Sequence, residues 1–221
     1  MPVFQLTDEL VFPHPNLAEP EGMLAIGGDL SPERLVLAYS NGIFPWYNVG
    51  EPIQWWSLDP RLILFPDKFN CSTSLSRVVK SNKFEVKLNK NFRKVMENCA
   101  QVNRKGETGN GTWITNEMLE AYSKMHELGY AHSVETYYKN ELVGGLYGIA
   151  MGKVFVGESM FFLERDASKV ALYFLVELMK KNKFHFIDAQ QSTPHLLSMG
   201  AEEISRKKYL KLLKKAMEDE S

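Results

Sequence analysis

An α+β fold, with helices packed on a mixed and largely antiparallel sheet and a small subdomain ahead of it, is what this sequence predicts. Three observations carry the prediction. The first is a run of three strand patterns, AHSVETYY (131–138), ELVGGLYGIA (141–150) and KVFVGESMF (153–161), separated only by the turn-like pairs KN and MG, as in an antiparallel meander. The second is that ASKVALYFLVELMKKN (167–182), a long apolar helix, leads at once to the strand HFIDAQ (185–190), so a helical crossover returns the chain to the sheet. The third is a change of composition near residue 65: the stretch before it is rich in Pro, Gly and Trp, and only one segment of it reads clearly as helix. The chain therefore divides into a small N-terminal subdomain, residues 1–65, and a larger domain, residues 66–221.

The elements follow in order. Ser31 can cap the N-terminal helix, Pro32 suits its first turn, LVLAY (35–39) supplies its apolar stripe, and Gly42 can stop it. In QWWSLDPRLILFP (54–66), Trp55 and Trp56 are costly to leave in water and so bind this region to the rest. CSTSLSRVVKSN (71–82) and NFRKVMENCAQV (91–102) read as helices on either side of a strand, FEVKL (84–88). TNEMLEAYSKMHELG (115–129) is a helix with Thr115 as cap and Gly129 as stop. After the meander, the long helix and HFIDAQ, the segments TPHLLSMG (193–200) and SRKKYLKLLKKAM (205–217) close the chain as helices. There is no internal repeat.

Composition narrows the function classes. With 221 residues and 44% apolar content the chain can bury a sizeable core. No apolar run approaches the roughly 20 residues of a membrane span, and MPVFQLTDEL lacks the regions of a signal peptide, so a cytoplasmic protein without membrane contact is expected. Cys71 and Cys99 form no CxxC, which suits a reducing compartment. His14, His126, His132, His185 and His195 show no metal-binding spacing, so neither a metal nor a cofactor is expected. No heptads are present, and a monomer is expected. The net charge of -1 hides a basic tail: Arg206, Lys207, Lys208, Lys211, Lys214 and Lys215 fall within ten residues that hold no acid. Lys180, Lys181 and Lys183 are candidates for the same patch. Such a face either is simply solvated or binds phosphates, and the three lysines also suit a helix C-terminus.

Polar residues that interrupt apolar strands are the next signal, since burying one unpaired costs on the order of 1 to 3 kcal/mol. Asp188 and Gln190 in FIDAQ share a strand face about 7 Å apart, so their side chains are expected to touch. Glu158 lies between Gly157 and Ser159 near the end of its own strand. If the two strands are neighbours, three polar groups converge, as a catalytic cluster or as a structural hydrogen-bond network. KGETGNGT (105–112) does not follow a strand and is not a GxGxxG, so a mobile loop is expected there rather than a nucleotide site. GESM is not a nucleophile elbow, because its serine is misplaced.

GGDLSP (27–32), GIFPW (42–46), WWSLDPR (55–61), GTWI (111–114), AHSVE (131–135), LVGGLYG (142–148), FVGESMF (155–161), ASK (167–169) and IDAQ (187–190) occur in one family in this order. On these motifs the chain resembles the bacterial leucyl/phenylalanyl-tRNA-protein transferases from about Gln5 to Tyr209. The resemblance implies a larger domain with a GNAT-like acyltransferase fold and a reaction that moves Leu or Phe, less readily Met, from aminoacyl-tRNA to the α-amino group of a protein beginning with Arg or Lys. The product is a degradation signal. It also implies an apolar pocket for the donated side chain from Leu146, Phe155, Met160, Leu172, Leu175 and Ile187, and adenosine stacking on Trp46 and Trp113. Asp188 would orient Gln190 towards the incoming amine. Glu158 would bind either the donor's α-amino group or the cationic end of the acceptor. Two departures stand out: the loop 103–110 is longer than the family commonly shows, and Leu58 replaces a usual proline. Two rivals predict differently. A CoA-dependent acyltransferase needs a pyrophosphate loop, for which Gly106 is in the wrong leading position, and an RNA-binding module leaves Asp188, Gln190 and Glu158 without work.

Overall fold

The structure is a computed structural model and describes residues 3–101 and 113–219. Its N-terminal part is a small sheet built from short strands: β1 (Phe4–Leu6), β2 (Met23–Gly27), then helix α1 (Pro32–Ser40), β3 (Phe44–Pro45) and β4 (Gln54–Trp56), in the order β1-β2-β4-β3. Ser31 caps α1 by accepting from the Arg34 N–H. Gly42, at φ +73°, ends it where a Cβ would lie 2.7 Å from the Tyr209 ring, so the turn needs both the left-handed backbone and the missing side chain. The strands of two to five residues are too short to show a periodicity, and the sequence reading did not find this sheet.

The remaining elements are β5 (Arg61–Leu64), α2 (Thr73–Lys80), β6 (Glu85–Leu88), α3 (Phe92–Ala100), α4 (Asn116–Glu127), β7 (Ala131–Tyr138), β8 (Glu141–Met151), β9 (Val154–Phe162), α5 (Ala167–Lys181), β10 (Phe186–Gln190), α6 (Pro194–Ser198), β11 (Glu202–Ile204) and α7 (Arg206–Glu218). Seven strands form one mixed sheet in the order β11-β5-β10-β9-β8-β7-β6. The meander β7-β8-β9 is antiparallel, and α5 returns the chain so that β10 lies parallel to β9, with Asp188 opposite Val156. That pairing makes neighbours of the strands bearing Glu158 and Asp188. Arg61–Leu64, read within the N-terminal unit, is hydrogen-bonded between β10 and β11 of the large sheet. All four of its residues are buried, as suits a strand covered on both faces. The edge strand β11 occupies the link between the two closing helices, and at three residues it is too short to show a strand pattern in the sequence.

Alternation sorts the large sheet into two cores. One face carries Tyr147, Ile149, Val154, Val156 and Phe186, packed with α1, α3, α4, α7 and the small sheet. The other carries Leu146, Phe155 and Ile187 under α5. Trp55 is fully buried in the first core, which holds residues of both sheets, and its indole N–H donates to the Gly27 carbonyl at 2.9 Å within the small sheet. The exposed lysines of α7 (Lys207, Lys208, Lys211, Lys214 and Lys215) form a basic face, and Lys180, Lys181 and Lys183 are exposed as well. Arg206 does not belong to that face. It is buried, and its guanidinium reaches inward to the Pro15 carbonyl at 2.6 Å, because its position at the start of α7 lies on the same inward side as Tyr209 and Leu213. No helix among the described residues is long and apolar enough to cross a membrane.

Candidate active site

At the centre of the large sheet Asp188 is completely buried, and a bare carboxylate there would be costly. It is compensated on every side. Arg61 on the neighbouring strand grips it with two bonds, Nε to Oδ1 at 2.8 Å and Nη2 to Oδ2 at 2.6 Å, and the Tyr209 hydroxyl donates to Oδ2 at 2.7 Å. The Arg61 guanidinium lies between the rings of Phe44 and Tyr209, 4.7 and 4.6 Å from their centroids. Burial works against its charge, yet Asp188, Tyr209 and Glu158 together outweigh burial and hold the Arg61 pKa above its ordinary value. The Tyr209 phenol is pushed well up by burial and by the same carboxylate.

The expected side-chain contact between Asp188 and Gln190 is not made. Strand alternation fails between them, because the register against β5 shifts at this point and Gln190 adopts a left-handed backbone, φ 58°. For a non-glycine residue that conformation costs roughly 1 to 2 kcal/mol, offset here by a specific bond. The main-chain N–H of Gln190 donates to Asp188 Oδ1 at 3.0 Å. The amide turns the other way, and its Nε2 donates to Glu158 Oε1 at 3.1 Å. Asp188 thus fixes the backbone of Gln190, and Glu158 fixes its side chain.

Glu158 differs from Asp188 in its partners. Tyr39 lies 2.8 Å from Oε1 and Tyr122 3.4 Å from Oε2, the two phenols are also hydrogen-bonded to each other so that their two protons are shared among three contacts, and among the described residues Glu158 forms no ion pair. Burial raises its pKa, the Tyr39 bond opposes the rise, Asp188 adds to it, and Arg61 and Tyr122 oppose it. The balance leaves the carboxyl pushed up to about 7. It titrates in the neutral range.

Glu158 and Gln190 face a cavity of about 420 Å³, whereas Asp188 lies behind its wall and does not line it. Trp46 and Trp113 line it together with Leu146, Phe155, Met160, Leu172, Leu175 and Ile187, so the eight pocket residues named from the sequence are brought to one place with Glu158 and Gln190. His195 lines it too, with its pKa lowered by burial and then by Lys169. The stretch 105–112 lies outside the described residues. The sequence reading gave no site role to Arg61, Tyr122 or Tyr209, and took Tyr39 only as part of the apolar stripe of α1. Arg61 carried the same signal that exposed Asp188, a charge opening the apolar run RLILF. The tyrosines carried none, since a hydroxyl's partner is set by tertiary packing. An apolar slot and two indole faces can hold an apolar side chain and a flat base, and a carboxyl bonded to an amide beside them can take up and release a proton near neutral pH.

The family model described as leucyl/phenylalanyl-tRNA protein transferase matches residues 63–214, and the model of that transferase's N-terminal domain matches residues 28–59. A leucyl/phenylalanyl-tRNA–protein transferase of Maridesulfovibrio salexigens is 54% identical over 219 residues, 99% of this chain and 90% of that protein. One of Syntrophobacter fumaroxidans is 56% identical over 213 residues, 96% of this chain and 90% of that protein. Among solved structures, L-PGS from Bacillus licheniformis is similar over 77% of this chain and 54% of its own, with 12% identity and a TM-score of 0.43. A GCN5-related N-acetyltransferase-like protein from Streptococcus suis is similar over 76% of this chain and 61% of its own, with 17% identity and a TM-score of 0.36.

Proposed function

This chain belongs to the leucyl/phenylalanyl-tRNA–protein transferase family of aminoacyltransferases, and we propose that it moves Leu or Phe, and Met less readily, from aminoacyl-tRNA to the N-terminal α-amino group of proteins that begin with Arg or Lys. The product would be a signal for degradation by the bacterial N-degron pathway, formed in the cytoplasm by a monomeric enzyme. One observation carries the reading: a single cavity has an apolar slot, two tryptophans and the Glu158/Gln190 pair on its walls.

The slot takes the donated side chain. The indoles of Trp46 and Trp113 stack on the terminal adenosine, a contact worth about 1 to 3 kcal/mol per base. The exposed lysines of α7, with Lys180, Lys181 and Lys183, contact phosphates further along the tRNA. The reaction itself is aminolysis of an ester, so the protein must hold a neutral amine against the carbonyl and manage one proton. The new C–N bond forms as the amine attacks, and the C–O bond to the ribose breaks. The proton leaves the nitrogen and ends on the ribose oxygen. An amide oxygen is too weak a base to hold it at neutral pH, so Gln190 orients the amine and steadies charge. Glu158, with its pKa near 7 and its direct bond to Gln190, is the group suited to take the proton and return it to the leaving oxygen. As a carboxylate it also favours an acceptor with a cationic first residue.

The test is transfer of labelled Leu, Phe or Met from the corresponding tRNA to two peptides that differ only in beginning with Arg or Ala. The expected result is label on the Arg peptide, with Leu and Phe ahead of Met. Equal labelling of both peptides would remove the acceptor preference, and no labelling would remove the proposal.

A further inference from the structure

We propose that Phe155 and Leu175 form a partition that ends the donor side-chain pocket, and that the apolar chamber behind them is room into which the pocket extends when the partition is made smaller. The inference rests on the reading of the first cavity as the donor pocket. A second cavity, of about 160 Å³, lies under the C-terminal half of α5, and Phe155 and Leu175 line both cavities.

Two elements show the chambers to be end to end. Along β8, Leu146 lines the first cavity and Ala150 the second. Between them, a Cβ on Gly148 would lie 2.6 and 2.7 Å from Cε1 and Cζ of Phe155, so the Phe155 ring rests against bare backbone. Residues two apart share a strand face; the intervening Tyr147 and Ile149 belong to the opposite core, and of the two only Tyr147 also borders the first cavity. The face therefore reads chamber, ring, chamber. Along α5 the order repeats: Leu172 lines the first cavity, Leu175 both, and Leu178 and Met179 the second, at successive turns about 5.4 Å apart. Both partition residues are 4% exposed, and no hydrogen bond holds their side chains in place. The wall is one phenyl ring and one isobutyl group.

A wall of that kind sets an upper size limit. Leu and Phe side chains end before it, whereas a biphenyl side chain needs the space behind it. The experiment compares kcat/KM for transfer of 4-biphenylalanine and of leucine, each from charged tRNA to one peptide beginning with Arg. The proteins are the wild type, Phe155→Ala, Leu175→Ala and Phe155→Leu, the last retaining most of the buried volume should the alanine variants not fold, as judged by circular dichroism. The ratio of biphenylalanine to leucine transfer is expected to rise by at least about tenfold in the folded variants, the discrimination a pocket gains from one or two methylenes. An unchanged ratio in variants that still transfer leucine would overturn the partition, as would a wild type that transfers both donors equally well. A wild type that transfers no leucine would instead overturn the pocket reading beneath it.

Discussion

Two buried carboxylates sit on adjacent strands of one sheet and are treated in opposite ways. Asp188 has a guanidinium, a phenol and a main-chain N–H, and its charge is balanced within 3 Å. Glu158 has two phenols and an amide, but no cation bonded to it among the described residues, and it is pushed up to about 7. The difference teaches how one fold separates structure from chemistry. A carboxylate gripped by arginine is fixed in position and serves to hold Gln190 in its left-handed backbone. A carboxylate held by neutral donors can change state near pH 7, which a proton carrier requires.

The largest effect should come from breaking the pair at Asp188. Arg61→Ala leaves the carboxylate buried and uncompensated, and a loss of about 3 to 5 kcal/mol in urea unfolding is expected. Replacing both partners, Arg61→Met with Asp188→Leu, should recover part of that stability, because no buried charge remains. It should not recover transfer, because the Gln190 N–H loses its anchor. A double variant that regains both would show that Asp188 has no part in positioning Gln190.

The next effect is a pH dependence that belongs to Glu158 alone. Its folded pKa, about 7, lies above the ordinary 4.5, so the folded state binds the proton more tightly. Stability from this group is therefore fully present below about pH 4.5 and is lost as pH rises through about 7, a total of roughly 3 kcal/mol. Glu158→Gln should flatten that fall while leaving the protein folded. An unchanged slope between those pH values would place the titration on some other group.

The contrast was half legible in the sequence. A polar residue in an apolar strand marks a buried partner network, and that signal gave Glu158, Asp188 and Gln190. The meander and the helical return made β9 and β10 neighbours, which brought the three together. What alternation could not give was the break at Gln190, since a bulge is a backbone event with no side-chain signature. Nor could it give the two phenols on Glu158, which arrive from α1 and α4, more than 80 residues apart in the chain. The small sheet was lost for a different reason: strands such as Phe44–Pro45 are too short for periodicity to register.

The central claim, that Asp188 builds the site while Glu158 moves the proton, is tested most directly by the pH dependence of single-turnover leucine transfer to an Arg-initiated peptide in the wild type and in Glu158→Gln. The wild-type rate should rise through two steps, one near 7 from Glu158 and one near 8 from the acceptor amine. In Glu158→Gln the step near 7 should vanish and the rate fall by about 10² to 10⁴. A variant that keeps the step near 7 and the wild-type rate would contradict the account.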